Sequence, residues 1–320
     1  MRKSIVMLVV GLLLVTTAFG GPLSRNQVSA TANWVAHADY ERFNSSQLGK
    51  LIRQELVNQG IEEKLVNFAR IFSFHPLNDV CDVTVYGIGK GREKAVVLID
   101  GRFDKEKVVA LVRMNPQHQE LAHGDITIHG WLQEDRKHNE VVNSYMMYGC
   151  IYQDKIVVMS AGVDLVKQAI DVLRGASQSA TEGQFTIMPA GAQGVFFQAA
   201  ANGVGDMAGQ EEQAAVLRQT DKLSLVIGET EGKFYIDLGL VAKSEEAAQS
   251  MNKVLEGIIA YTALAGQEKP RLAEFAQKTK LSCAQNIVTG HFETISESVF
   301  QFLKEQWEKR QQTGAQTQTH

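Results

Sequence analysis

The chain has 320 residues, 32 basic against 36 acidic, with 44% hydrophobic and 21% charged residues, 5 prolines and 3 cysteines. That length is enough for two ordinary domains or one large one with a real core. The composition excludes a collagen, an intrinsically disordered chain and a disulfide-stapled miniprotein, and the mildly acidic balance, with no dense basic stretch, argues against a nucleic-acid partner.

Arg2 and Lys3 precede an almost wholly apolar run from Ile5 to Val15, and small residues follow at Ala18 and Gly20. This order of positive, apolar and small residues predicts a signal peptide over 1–20, cut after Gly20 or Gly21, and a periplasmic or secreted mature protein. The apolar run, about 11 residues, falls short of the roughly 20 that a spanning helix requires. An uncleaved anchor is the alternative reading, and the absence of a Cys near the cut argues against a lipoprotein. Loss of Arg2 and Lys3 takes the formal charge from −4 to −6. Later apolar runs, such as 95–99 and 195–201, are strand-sized, so no transmembrane helix is expected in the mature chain. Cys81, Cys150 and Cys283 allow one disulfide with one free thiol, or none, and no C-x-x-C pair supports redox chemistry.

Residues 21–32 read as a flexible amino-terminal segment and 33–175 as a first α+β half. A first strand is predicted over 33–39. Asn44, Ser45 and Ser46 supply a helix N-cap signal before Leu48, Leu51, Ile52 and Leu56, and Gly60 fits the stop. A second helix is predicted over 61–72, ended by His75-Pro76. Val83 and Val85 enter a hairpin through Gly87–Arg92 into a strong strand at 95–103, and Asp104 caps a helix. A strand around Ile126 to Trp131 follows a turn at 123–125. A charged surface loop is predicted over 134–140, then a hairpin about Gln153-Asp154, and a helix over 163–173.

Residues 176–193 have no sustained apolar period and read as a linker, 194–310 as a second α+β half, and 311–320 as a disordered tail. The second half repeats the order of the first. Residues 94–112 match 233–251 without a gap at an offset of 139, and the segment from Ile156 matches that from Asn286 at an offset of 130. The expected fold is α+β: two tandem pseudo-repeats of mostly antiparallel sheet with helices packed on one face.

Chemistry-bearing patterns are sparse. His37 and Asp39, two apart on a strand, share a face and could form a base and its orienter, but no nucleophile motif accompanies them. The glycines at 87, 89 and 91 precede a strand rather than a helix, which fits a turn better than a phosphate loop. His118, His123, His129 and His138 are separated by 5, 6 and 9 residues, unlike the usual spacings of a zinc site, so no metal site and no cofactor is expected. Asp100 and Arg102 face one side of their strand and could pair. Met251, Leu255 and Ile258 lie on the apolar face of a long helix, which is core by default and a lipid or peptide groove in the alternative reading.

The segment from Trp34 to Phe43 (WVAHADYERF), the Ser46-Gln-Leu-Gly turn, the Gly101-Arg-Phe-Asp exit and the helix end at Ala169–Gly175 resemble exported bacterial proteins of unknown function. The resemblance covers most of residues 30–177. It implies an envelope setting and carries over no catalytic residues. The expectation is a non-enzymatic exported protein that binds a protein partner or ligand. A carrier of an apolar ligand and a hydrolase using His37, Asp39 or the 118–138 histidines are the alternatives.

Overall fold

The computed structural model describes residues 21–137, 140–186, 189, 191–208, 215–264 and 270–316. The segment 1–20, predicted as a signal peptide, and His138 therefore lie outside the described residues. The fold is α+β, with twelve strands and ten helices among those residues. The described residues divide into two compact units: those within 21–42, 60–186 and 197–203, and those within 43–59, 189–196 and 204–316.

The first unit contains β1 (Trp34–Asp39), β2 (Val80–Gly87), β3 (Ala95–Gly101), β4 (Gln119–His123), β5 (Ile126–Lys137), β6 (Glu140–Tyr152), β7 (Ile156–Ser160) and most of β8 (Val195–Asn202). All pair antiparallel, in the order β8-β1-β2-β3-β7-β6-β5-β4. Local chemistry places the turns. Trp34 Nε1 donates to Gly89 O at 2.9 Å, tying the β2–β3 turn to β1. A Cβ on Gly87 would lie 2.7 Å from the Trp34 ring, so only glycine admits that indole. Gln153 and Asp154 take positive φ of 49° and 56°, as a two-residue hairpin requires. The order of chain in this unit runs α1 (Tyr40–Ser45, of which 40–42 belong here), then α3 (Ile61–Phe72), α4 (Lys105–Arg113) and α5 (Val163–Leu173). Asp104 caps α4 by accepting from Lys107 N at 3.1 Å.

The second unit takes α2 (Gln47–Asn58), α6 (Val204–Met207), α7 (Ala215–Arg218), β9 (Thr220–Thr230), β10 (Lys233–Ala242), α8 (Glu245–Leu264), α9 (Pro270–Lys278), β11 (Thr279–Ala284), β12 (Ile287–Ile295) and α10 (Ser296–Gln316). Its strands run in the order β9-β10-β12-β11, all antiparallel. Leu240, Ala242, Ala248, Met251 and Val288 form one buried cluster. Edge-to-face rings extend the core from Phe43 to Phe196 at 5.2 Å and from Phe292 through Phe275 to Phe302.

Glu229 joins three distant segments of this unit. Its carboxylate accepts from Gln47 N at 2.5 Å and Leu48 N at 2.9 Å, at the first turn of α2. It also accepts from the Ser296 hydroxyl at 2.6 Å, at the start of α10. Ser46 caps α2 from its own side, accepting from Gly49 N at 3.0 Å.

Several boundaries differ from the sequence reading. Residues 21–32 are not a free segment: Val28, Ser29 and Ala32 are buried, and Ser29 bridges to Ser179. Nor is 177–186 a linker. Phe185 is fully buried and Ala180 N donates to Val28 O at 2.7 Å, so a lone aromatic anchors a stretch whose composition looks loose. Of the predicted charged loop at 134–140, residues 134–137 end β5 and Glu140 begins β6, with Arg92–Asp135 and Arg136–Glu134 ion pairs, while 138 and 139 lie outside the described residues. In the predicted tail, α10 continues to Gln316, and 317–320 lie outside the described residues. The units also exchange elements relative to the predicted halves: α2 packs with the second unit and residues 197–203 with the first. All three cysteines are free thiols, with burial pushing Cys81 up to about 11 and Cys150 up to about 12.

Removing the Glu229 carboxylate strands two helix-end N–H groups and a buried hydroxyl. Glu229→Ala is expected to lose about 2–3 kcal/mol of stability, read as a lower urea midpoint at unchanged slope.

Candidate functional site

Three places in the structure gather reactive or binding side chains. The first is on β1, β2 and β3. Their register sets Asp39 opposite Asp82, and Asp82 opposite Asp100. Directly opposed residues of an antiparallel pair share a face, so three carboxylates stand in a row across three strands. The two ends of the row are occupied. Asp39 caps α1, its Oδ1 accepting from Arg42 N at 2.9 Å, with the Arg42 guanidinium 3.6 Å from Oδ2. Asp100 pairs with Lys155 at 2.8 Å through one oxygen, while its other oxygen is buried without a hydrogen-bond partner. Asp82 sits in the middle and accepts from the Gly21 N–H. Burial, and then the Asp100 and Asp39 charges, push the Asp82 carboxyl up to about 7. Burial also raises Asp39.

His37 lies two residues along the same face. Its Nδ1 is 2.8 Å from Thr84 Oγ1, and its Nε2 is 2.8 Å from Gly21 O. Burial lowers its pKa, which keeps the ring neutral, donating from Nε2 to the Gly21 carbonyl and accepting at Nδ1 from the threonine. The base-and-orienter pair that His37 and Asp39 could have formed is thus absent: each is engaged by another partner. Asp100 and Arg102 do not pair either, since Arg102 Nη2 donates to Asn78 O at 3.2 Å. Gly21 is the hub that the sequence did not disclose, presenting its N–H to Asp82 and its carbonyl to His37.

The second place is the β4–β5 hairpin. Glu120 faces His129 across the ladder, and His118 lies in the turn just before β4, with its ring brought against that of His129. His118 Nε2 lies 3.1 Å from His129 Nδ1, and the rings stack with centroids 5.3 Å apart. Glu120 Oε1 is 3.7 Å from His129 Nδ1 and 4.0 Å from His118 Nε2. Arg113 donates to the same carboxylate at 2.8 Å and holds its pKa down. Burial lowers His129. His123 is elsewhere, 2.8 Å from Asp171. A cleft of about 530 Å³ adjoins the hairpin, lined by His129, Lys105, Arg113, Asp125, Tyr152 and Arg174 among others. Its cations are paired, Lys105 with Asp154 and Arg174 with Asp125.

The third place is α8. Its apolar face is continuous in sequence, but its cover is not. Ala248 and Met251 are buried against the second unit's sheet, with Leu255 partly buried beside them. Beside this covered side, exposure climbs along Val254 at 47%, Ile258 at 56%, Tyr261 at 71% and Leu264 at 84%, while Ile259, Thr262 and Ala263 stay half-buried. Met251, Leu255 and Ile258 therefore do not line one groove: Met251 is core and Ile258 faces outward. A cleft of about 340 Å³ beside α8 is lined by Glu245, Gln249, Asn252, Lys253, Glu256, Cys283 and Gln285, a polar set unsuited to an apolar cargo. Among the described residues no helix is long and apolar enough to cross a membrane.

No protein-family model matches the chain, and no curated protein does. Its backbone is similar to solved structures of TP0453. Crystal form III gives a TM-score of 0.48 at 7% identity, covering 89% of this chain and 99% of that one. Crystal form I gives 0.45 at 8%, covering 89% and 98%. At these scores and identities the likeness carries no argument about function.

The carboxylate row sets a pH dependence. While Gly21 remains in a peptide bond, Asp82 titrates near 7 in the folded chain, against about 4 when unfolded. A raised carboxyl contributes stability that is complete below about pH 4 and is lost as pH climbs through about 7. Asp82→Asn in the uncleaved chain is expected to gain about 1–3 kcal/mol at pH 8 and almost nothing at pH 4. Urea denaturation at both pH values reads this, and equal effects at the two would show that Asp82 ionises normally.

Proposed function

We propose that this chain is an exported, non-enzymatic binding protein whose contact surface is the uncovered half of α8. The observation that carries the reading is the rise in exposure along one apolar face, from buried Met251 to Val254, Ile258, Tyr261 and Leu264. Apolar anchors at i, i+4 and i+7 are the pattern by which a helix seats in a hydrophobic groove. The occupant argued for is a protein presenting such a groove. An anionic lipid surface fits less well, because residues 257–264 carry no cation, Glu256 precedes them and the mature chain is net acidic. The polar linings of the two clefts favour this reading over an apolar carrier. The separate engagements of His37 and Asp39 favour it over hydrolysis at that pair.

A photo-crosslinking residue at Tyr261, in the exported chain within its host, is expected to give one discrete protein adduct that Ile258→Glu abolishes. Adducts to lipid alone, or equal adducts from a control at exposed Gln249, would overturn the reading.

Export draws support from Gly21. Cleavage after Gly20 would turn the atom that donates to Asp82 into an ammonium, placing a cation against a row of three carboxylates. Cleavage after Gly21 would remove that donor. The mature chain is therefore expected to begin at Gly21, and its Nα-acetylated form to be less stable by about 1 kcal/mol at pH 6. Mass spectrometry and urea denaturation check the two, and the acetylation effect should vanish in Asp82→Asn.

Internal duplication belongs to the same reading. The strand orders β2-β3-β7-β6 and β9-β10-β12-β11 follow one plan, in which a hairpin, a helical stretch and a returning hairpin are closed by a helix.

A further inference from the structure

The shared plan of the two units breaks at one place. Between α4 and β6 the first unit inserts the β4–β5 hairpin, and among the described residues no strand of the second unit corresponds to β4. That insertion carries His118, Glu120 and His129. All three offer a ligand atom, and these atoms lie within 4.8 Å of one another.

The spacing is close to that of a coordination sphere. A tetrahedral zinc ion, with bonds of about 2.0–2.1 Å, holds its ligand atoms about 3.3 Å apart. The separations here are 3.1, 3.7 and 4.0 Å. Small side-chain rotations close the difference, because the rings of His118 and His129 already stack and Glu120 stands opposite His129 in the ladder. We propose that His118, Glu120 and His129 bind a divalent transition-metal ion, zinc being the ion suited to two imidazoles and one carboxylate.

The surroundings fit this use. His129 and Arg113 line the cleft of about 530 Å³, which has room for water or a small anionic ligand beside the three side chains. Arg113 donates to Glu120 Oε1, the oxygen nearest both rings, at 2.8 Å and holds that carboxylate beside them. The proton balance is simple. In the free protein one facing ring nitrogen donates to the other. With metal bound, both facing nitrogens are bare, and the donating ring carries its proton on its other nitrogen.

This site lies in the first unit and uses no residue of α8, so its test is separate from that of partner binding. Metal-free mature protein, without an affinity tag, is titrated with Co²⁺ followed by its d–d absorption, and with Zn²⁺ by calorimetry. The expected result is one equivalent bound, with the intense bands of a four-coordinate cobalt site. His129→Ala and the partly exposed His118→Ala should each weaken binding at least 100-fold, with circular dichroism showing both folded. Glu120→Gln should weaken it about 10–100-fold, and His123→Ala should leave it unchanged. Absence of stoichiometric binding, or binding that survives in both histidine variants, would overturn the proposal.

Discussion

In an antiparallel ladder each residue faces one partner on each neighbouring strand, and that pairing decides which side chains must share space. Here it decides nearly everything of chemical interest. It lines up Asp39, Asp82 and Asp100 across β1, β2 and β3, and it sets Glu120 against His129 across β4 and β5. A slip of one residue would send each of these side chains to the opposite face. The turns that hold register therefore act at a distance on the sites. Gly87 and the Trp34–Gly89 hydrogen bond fix the β2–β3 hairpin, and so fix which residue stands opposite Asp82.

Like charges placed opposite one another oppose folding, yet the carboxylate row is built into the middle of a sheet. Its cost is distributed. One end is spent on a helix cap, the other on a lysine, and the centre is held by a backbone N–H. His37 secures the other side of the same residue through its carbonyl. The strands and Gly21 are thus mutually dependent: the row would be worse solvated without Gly21, and Gly21 is placed by groups on two strands.

Much of the fold was legible, and the reason is local. The strong strand predicted at 95–103, which ends at Gly101, the caps at Ser46 and Asp104, the turn at Gln153-Asp154 and the apolar face of α8 each follow from signals within a dozen residues. What escaped the sequence depended on contacts between distant segments. Nothing near Phe185 says that it is buried, and nothing near α2 says that Glu229 will hold it. The histidines illustrate the same limit. Counting gaps between imidazoles alone suggests scatter, whereas His118 stands just before β4, two residues from Glu120, and His129 faces Glu120 across the hairpin. The signal was a mixed ligand pattern across a turn, visible only once β4 is recognised as a strand. His37 and Asp39 show the converse, since shared orientation on a strand did not make them partners.

The Glu229 clasp has a further consequence for synthesis. The helix it holds, α2, is made early, whereas the strand carrying Glu229 and the helix beginning at Ser296 are made late. During biogenesis the nascent polypeptide therefore carries an amphipathic segment, with Leu48 and Leu56 destined for burial, that must wait for most of the remaining translation before it has a home. Such a chain is exposed to off-pathway association throughout that interval, and its second unit matures only after the last helix emerges.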